Sequence, residues 1–177
     1  MRKLIIVVLG LAPLLSAPMG CRRTQPVKVD VVEEEAPKLA TVIHVADPKA
    51  TVQLVKGFYE LEQNSWRWTA GKFAVALRPP RGASERGAVL QLKFAVADAV
   101  LERVKSMTVK ARSGKVELAP ETYTKSGEQI YSRDVPGSIL GGEVVLFEFE
   151  VDKFLPPGAV EQRELALIVT TIGLELK

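Results

Sequence analysis

The chain has 177 residues, of which 47% are hydrophobic and 25% charged, with a formal net charge of +3. This is the composition of a globular protein with a core, and the length allows one domain plus a tail. Without Arg2 and Lys3, which lie in a segment that we expect to be removed, 22 of the 24 basic residues face 21 acidic ones. Because basic and acidic residues are interspersed along the chain, the sequence predicts no nucleic acid or other polyanion as a partner.

The first 20 residues have the pattern of an export signal. Met1-Arg2-Lys3 gives a positive start, residues 4–15 form an apolar run, and residues 16–20 are mostly small. The apolar run is shorter than the roughly 20 residues that a membrane-spanning helix needs. We therefore predict that residues 1–20 are a signal peptide.

Cys21, the only cysteine of the chain, follows this segment directly. A lone thiol cannot form an internal disulfide, so it needs another explanation in an exported protein. The region resembles a bacterial lipoprotein signal, in which a cysteine after a small residue is acylated and becomes the mature N-terminus. Gly20 fits this pattern, whereas Pro18 and Met19 depart from it. The resemblance implies a lipid, such as palmitate, on Cys21.

Such an anchor would place the protein in the bacterial cell envelope, facing the periplasm or the cell surface. Two arginines rather than an aspartate follow Cys21, and by resemblance this favours the outer membrane. The alternative is a plain secreted protein, or an uncleaved anchor, with an incidental cysteine.

Residues 21–50 predict a tether. They contain several prolines and the acidic run Glu33-Glu34-Glu35, with little apolar periodicity. Two short β-branched pieces, at residues 27–32 and 41–45, are each able to form an edge strand.

The residues that most catalytic sites need are scarce. His44 is the only histidine and lies in the predicted tether, so neither the usual zinc sites nor a serine or cysteine triad can be built. We expect no metal, no cofactor and no enzyme activity. Glu60 with Glu62, and Glu148 with Glu150, have the same-face spacing of a carboxylate pair, but outward charge on a strand is the ordinary solvated face.

From residue 51 onward apolar residues recur with a period of two, which indicates β-strands. A hairpin turn is predicted near Ala70-Gly71, and one short helix over residues 98–105. The whole pattern predicts an all-β fold, a single antiparallel β-sandwich of jelly-roll type over residues 51–177 with at most one short helix. The alternating runs lie near residues 73–77, 90–96, 107–112, 116–118, 129–133, 145–151 and 165–176.

The segment 57–69 holds both tryptophans. Trp66 and Trp68 are two apart, so on a strand their side chains share one face. Exposed indoles would form a stacking surface for sugar rings, whereas buried indoles would be core residues. The sequence favours burial of at least one, and we name Tyr59, Trp66 and Trp68 as candidate ligand-binding residues.

Three further groups of charged or polar residues are predicted to be structural rather than functional. We expect Arg67 to face solvent or to pair with Glu60 or Glu62 across the neighbouring strand. The polar loop 79–87 could rim a binding site but is more typical of a turn, and Arg163-Glu164 is more typical of an ion pair than of a site.

Three stretches together resemble a β-sandwich domain of uncharacterised bacterial envelope proteins, which is also attached to some glycosyltransferases and is similar in outline to jelly-roll carbohydrate-binding modules. The resemblance covers about residues 52–177 and implies a sandwich with an envelope role, but no catalytic or binding residues. Its stretches are Gly57-Phe58-Tyr59-Glu60-Leu61-Glu62 through Trp66-Arg67-Trp68, Tyr131-Ser132-Arg133-Asp134-Val135-Pro136, and Arg163-Glu164-Leu165-Ala166-Leu167-Ile168-Val169.

The sequence therefore favours a non-enzymatic, lipid-anchored envelope module that binds a glycan or an envelope protein. The alternative from another class is a structural or assembly subunit that recruits its partner by strand addition at a sheet edge. A carboxylate glycoside hydrolase is the third possibility.

Overall fold

The computed structural model describes residues 38–177, which form an antiparallel sandwich of nine strands. The predicted signal peptide, Cys21 and the tether as far as residue 37 lie outside the described residues. The strands are β1 (Val42–His44), β2 (Leu54–Glu62), β3 (Trp66–Leu77), β4 (Ala88–Val96), β5 (Met107–Ser113), β6 (Val116–Tyr123), β7 (Gly127–Val135), β8 (Val145–Val151) and β9 (Ile168–Leu176).

The helices are short. Helix α1 (Ala83–Arg86) lies between β3 and β4, α2 (Asp98–Val104) lies between β4 and β5, and two 3₁₀ turns span Pro48–Gln53 and Gly137–Ile139. The sequence predicted α2 to within one residue. It did not predict α1 or the 3₁₀ turns, because one turn is too short to show helical periodicity.

The strands divide into two layers. The first layer has the order β6-β5-β8-β3-β2 and the second the order β7-β4-β9-β1. The layers meet where β3 and β9 pair through Arg67↔Val169 and Trp68↔Ile168. Every pairing between strands is antiparallel, which confirms the predicted all-β sandwich.

The core lies between the layers because alternate residues of each strand point inward. Aromatic rings from opposite layers meet there: Phe94 contacts Tyr123 at 5.1 Å between ring centroids, and Tyr131 contacts Phe149 at 6.4 Å. Each fully buried large apolar side chain contributes about 1.5–3 kcal/mol, so a core of this kind needs no disulfide. Its largest fully buried members include Tyr131, Phe73, Phe147, Leu77, Leu90, Leu92 and Met107.

The predicted hairpin at Ala70-Gly71 is wrong, since β3 runs without a break from Trp66 to Leu77. The turn lies earlier, where Gln63 and Asn64 have positive φ angles of 49° and 52°. Gly71 has a different role: a Cβ atom there would lie 2.3 Å from Cε1 of Phe154. Because glycine has no side chain, the Phe154 ring can approach the strand closely at this position. In the sequence alone, the same glycine indicates a turn.

The sandwich begins before residue 51, inside the segment that the sequence assigned to the tether. Strand β1 pairs with β9, and Ile43 and Val45 are buried. The side-chain amide of Gln53 donates to the carbonyls of Ala40 and Ala76, and the Ala40 amide donates back to Oε1 of Gln53. The edge strand that the sequence allowed within residues 41–45 is therefore present as β1, although the sequence placed the start of the sandwich at residue 51.

Candidate functional site

The two tryptophans lie on the outer face of the first layer. On β3 the residues that alternate with Trp66 and Trp68, such as Thr69 and Phe73, are fully buried, so alternation places the two tryptophans on the opposite face of the strand. Lys72 lies further along the same outer face and is exposed. The outer side of β3 is thus aromatic at its start and charged in its middle. Trp68 and Lys72 are four residues apart, which is about 13 Å along a strand.

Both indoles are partly buried rather than fully buried or fully exposed. Their rings meet edge to face, with centroids 6.2 Å apart and planes at 87°. Trp68 also packs against the core cluster. One indole is therefore held by the other and by the core, and part of each ring surface is accessible.

The sequence suggested that Arg67 faces solvent or pairs with Glu60 or Glu62. In the structure it bonds backbone carbonyls instead. Its Nε donates to the carbonyl of Val45 at 3.1 Å, and its NH1 group donates to the carbonyl of Tyr59 at 3.0 Å. The guanidinium thus links the end of β1 to β2. The spacing of charges on β2 could not show this, because both partners are backbone atoms.

Tyr59 is held beneath a cluster of charged side chains. Its hydroxyl accepts a hydrogen bond from the Glu164 amide at 3.0 Å, and the Arg163 guanidinium lies 5.4 Å from its ring centroid. Arg163 also pairs with Glu62 and Glu161, at 2.8 and 2.9 Å, so the predicted ion-pair role holds for Arg163. The Glu164 carboxylate instead accepts a hydrogen bond from the Gly71 amide at 3.0 Å. These contacts leave Tyr59 positioned by neighbours rather than presented as a free ring.

Electrostatics in this cluster keeps the ion pairs charged. Hydrogen bonds from Arg163 hold the pKa of Glu161 at about 2, below its ordinary 4.5. The same bonds, with that to Glu62, raise the pKa of Arg163. The cluster fixes the segment before β9 against β2, beside the aromatic end of the sheet.

A groove of about 630 Å³ lies across the outer face of the first layer, where the sequence analysis named no site. Charged side chains from all five strands of that layer line it, and parts of Ala111, Leu118, Pro120 and Phe149 form its apolar surface. The charged members are Lys56, Lys72, Lys110, Arg112, Glu117, Glu148 and Glu150.

Strand register orders these charges into rows. Glu148 bonds Lys56 at 3.2 Å through one oxygen and Arg112 at 2.8 Å through the other. In the next row Glu150 lies between its register partners, Lys72 and Lys110, and is 3.8 Å from the Lys72 ammonium. The groove therefore presents cationic and anionic side chains in alternation.

Of the carboxylates that a hydrolase would use, Glu60 with Glu62 and Glu148 with Glu150, all but Glu60 are engaged in ion pairs. Glu62 bonds Arg163, Glu148 bonds two cations, and Glu150 lies beside Lys72. Within residues 38–177 no group of three or more His, Cys, Asp and Glu side chains could hold a metal ion.

The edge of the sandwich formed by β6 and β7 is occupied by side chains. Arg133 donates to the carbonyls of Ala119, Pro120 and Ser132, at 2.6, 3.0 and 2.6 Å. Tyr123 donates to the carbonyl of Ile130 at 3.2 Å. Four carbonyls of this edge therefore already have side-chain donors, which makes it a poorer template for an added strand.

The other two edge strands, β1 and β2, are protected differently. Strand β1 has only three residues, and β2 has three register shifts along its pairing with β3. Arg67 bonds one carbonyl beside each of them. Short, irregular and occupied edges are poor templates for strand addition.

Comparisons with known proteins add little to this geometry. No family model matches the chain, and no curated protein matches it. A solved structure titled "CBM4 structure and function" is 13% identical, with a TM-score of 0.37, over 81% of this chain and 90% of that one. Both values are too low for the likeness to carry a function to this chain.

None of the described helices is both long and apolar enough to cross a membrane.

Proposed function

We propose that this chain is a non-catalytic, lipid-anchored module of the bacterial envelope that binds a glycan along the outer face of its first layer. The observation that carries the proposal is the position of Trp66 and Trp68, two partly accessible indoles on the same sheet face as a 630 Å³ groove. Ligand sites commonly combine aromatic surface with a few fixed polar groups.

The two parts of this face suit two parts of a sugar. Indole rings offer rigid apolar area to the flat face of a sugar ring. Ammonium, guanidinium and carboxylate groups of the groove offer donors and acceptors to hydroxyl groups. Because Glu148 is fixed by Lys56 and Arg112 at 3.2 and 2.8 Å, its oxygens are positioned before a ligand arrives, which lowers the entropic cost of binding.

Strand addition, the alternative from the sequence, has less support. Four carbonyls of β6 and β7 are occupied by Arg133 and Tyr123. The second candidate ligand of the same groove is an envelope protein. It is favoured if no oligosaccharide of the panel described next changes the tryptophan fluorescence.

A titration of tryptophan fluorescence with a panel of neutral and acidic oligosaccharides tests the glycan proposal. We expect at least one glycan to shift or quench the emission saturably, and Trp66→Ala to weaken its affinity by about tenfold, since one stacked aromatic is worth about 1–1.5 kcal/mol. Ile130→Ala is the matched control, because Ile130 is an exposed apolar residue of the second layer. A panel without any response would contradict the glycan proposal and favour a protein ligand.

The anchor is a separate part of the proposal and rests on Cys21 and its resemblance to lipoprotein signals. The test is metabolic labelling with a fatty acid, followed by fractionation of cells that express the wild type or Cys21→Ser. We expect label and membrane retention in the wild type only. Unlabelled wild-type protein, or equal retention of both proteins, would refute acylation at Cys21.

A further inference from the structure

A second cavity lies among the loops at the far end of β3 from Trp66. Its volume is about 510 Å³, and its walls come from the loop after β3, from Leu39 and from the segment that precedes β8. Arg78 and Arg81 line it together with Ser84, Gly141 and Gly142. Neither the groove nor the tryptophans are part of it, so a ligand here would be bound independently of the glycan.

The cavity contains two arginines without an ion-pair partner in the described part of the chain. Among the described arginines, only Arg112, Arg133 and Arg163 bond a carboxylate. Arg78 and Arg81 do not, although Glu143 also lines the cavity. The lining thus has two guanidinium groups and one carboxylate, which gives it a net charge of +1.

The backbone fixes these two arginines at a short distance along the chain. Pro79-Pro80 separates them, and proline locks φ near −65°, so the spacer is stiff. The Arg78 amide bonds the Ala40 carbonyl at 3.1 Å, and the Ala83 amide bonds the Pro80 carbonyl at 3.1 Å. The loop is thus held at both ends.

Further donors in the lining are unused. The Ser84 hydroxyl and the amides of Gly141 and Gly142 make no hydrogen bond with any other part of residues 38–177. A Cβ atom at Gly141 would meet nothing within 4 Å, so this wall is open to a ligand. Hydroxyl and amide donors beside guanidinium groups are the usual surroundings of a bound oxyanion.

We propose that this cavity binds a phosphate monoester group. Such a group carries about −1.5 to −2 charge at pH 7, which the net positive charge of the lining attracts, and its oxygens accept forked hydrogen bonds from guanidinium. The phosphate could belong to a soluble sugar phosphate or to a lipid head group, since both present the same oxygens.

Paired ligands that differ only in the phosphate test the proposal. Isothermal titration of the purified full-length protein with glucose 1-phosphate and with glucose separates the phosphate from the sugar. We expect glucose 1-phosphate to bind, with an affinity that falls as salt rises, and glucose to bind at least tenfold more weakly. Flotation of Cys21→Ser protein with vesicles of phosphatidic acid or phosphatidylcholine tests a lipid source without the proposed acyl anchor.

Charge-removing variants locate the site. Arg78→Gln and Arg81→Gln should each weaken phosphate binding about tenfold or more, since a hydrogen bond to a charged group typically counts for that much. Arg86→Gln is the matched control, because Arg86 lies at the end of α1, which directly follows this loop, but does not line the cavity. All three arginines are exposed, and an unchanged urea midpoint checks that each variant is folded.

Each outcome bears on the site. Binding of either phosphate source that is lost in Arg78→Gln and Arg81→Gln, but kept in Arg86→Gln, supports it and identifies the source. Absence of binding to both sources, or binding that survives both substitutions, overturns it. The glycan proposal is judged separately, because Trp66→Ala should leave phosphate binding unchanged.

Discussion

Arg133→Ala tests how the open side of the sandwich between β6 and β7 is closed. The Arg133 side chain, 22% exposed, makes three hydrogen bonds to carbonyls, pairs with Glu121 at 2.7 Å and covers the Tyr131 ring at 4.6 Å. A partly buried bond to a charged group is worth about 1.5–3 kcal/mol, but bonds of one side chain are not additive. We expect the free energy of unfolding to fall by about 2–4 kcal/mol.

Urea unfolding followed by tryptophan fluorescence measures this loss. Arg112→Ala is the control, since Arg112 is 56% exposed with one ion pair and should cost less than about 1 kcal/mol. Arg133→Lys keeps the charge but not the fork and should recover less than half of the loss. Size-exclusion chromatography should also show association of Arg133→Ala, because the carbonyls of Pro120 and Ser132 at the β6 and β7 edges lose their donor. A loss below about 0.5 kcal/mol in a monomeric variant would refute the edge-closing role.

Three further substitutions test the packing of the core and the ionisation of Tyr123. Gly71→Ala should cost about 1–3 kcal/mol in urea unfolding, because its Cβ atom would lie 2.3 Å from the Phe154 ring; a neutral change would show that the ring moves freely. Phe73→Ala should cost about 3–5 kcal/mol, because Phe73 is fully buried and stacks on Phe149 at 4.8 Å, and a loss under 1.5 kcal/mol would contradict that packing. Burial and nearby Glu121 raise the pKa of Tyr123 above its ordinary 10, so its stabilising contribution is complete below pH 10 and is lost as pH rises further. The melting temperature of the wild type should therefore fall more steeply above pH 10 than that of Tyr123→Phe. Parallel pH profiles of the two proteins would show that Tyr123 ionisation does not cause the loss.

The fold class followed from the sequence because alternation of apolar residues is a local property. Val145, Phe147, Phe149 and Val151, for example, show their inward face directly. The start of β3 was misplaced because Gly71 is read locally as a turn, whereas its reason is the Phe154 ring, which is distant in sequence.

The groove could not be predicted for the same kind of reason. Lys56, Arg112 and Glu148 are far apart in sequence, and only the order and register of five strands place them in one row. The backbone partners of Arg67 and Arg133 depend equally on where strands end. The tryptophan pair could be predicted because two residues on one strand share a face whatever the remaining topology.

The chain has two tryptophans, so its nitrogen-15 NMR spectrum has two indole signals, which Trp66→Phe and Trp68→Phe variants assign. The most direct test of the glycan proposal follows these signals during titration with the oligosaccharide that binds best in the fluorescence panel. We predict that both indole signals shift saturably, with one dissociation constant shared with amides of the groove residues. Unmoved indole signals at saturating ligand would contradict a binding surface on the outer face of β3.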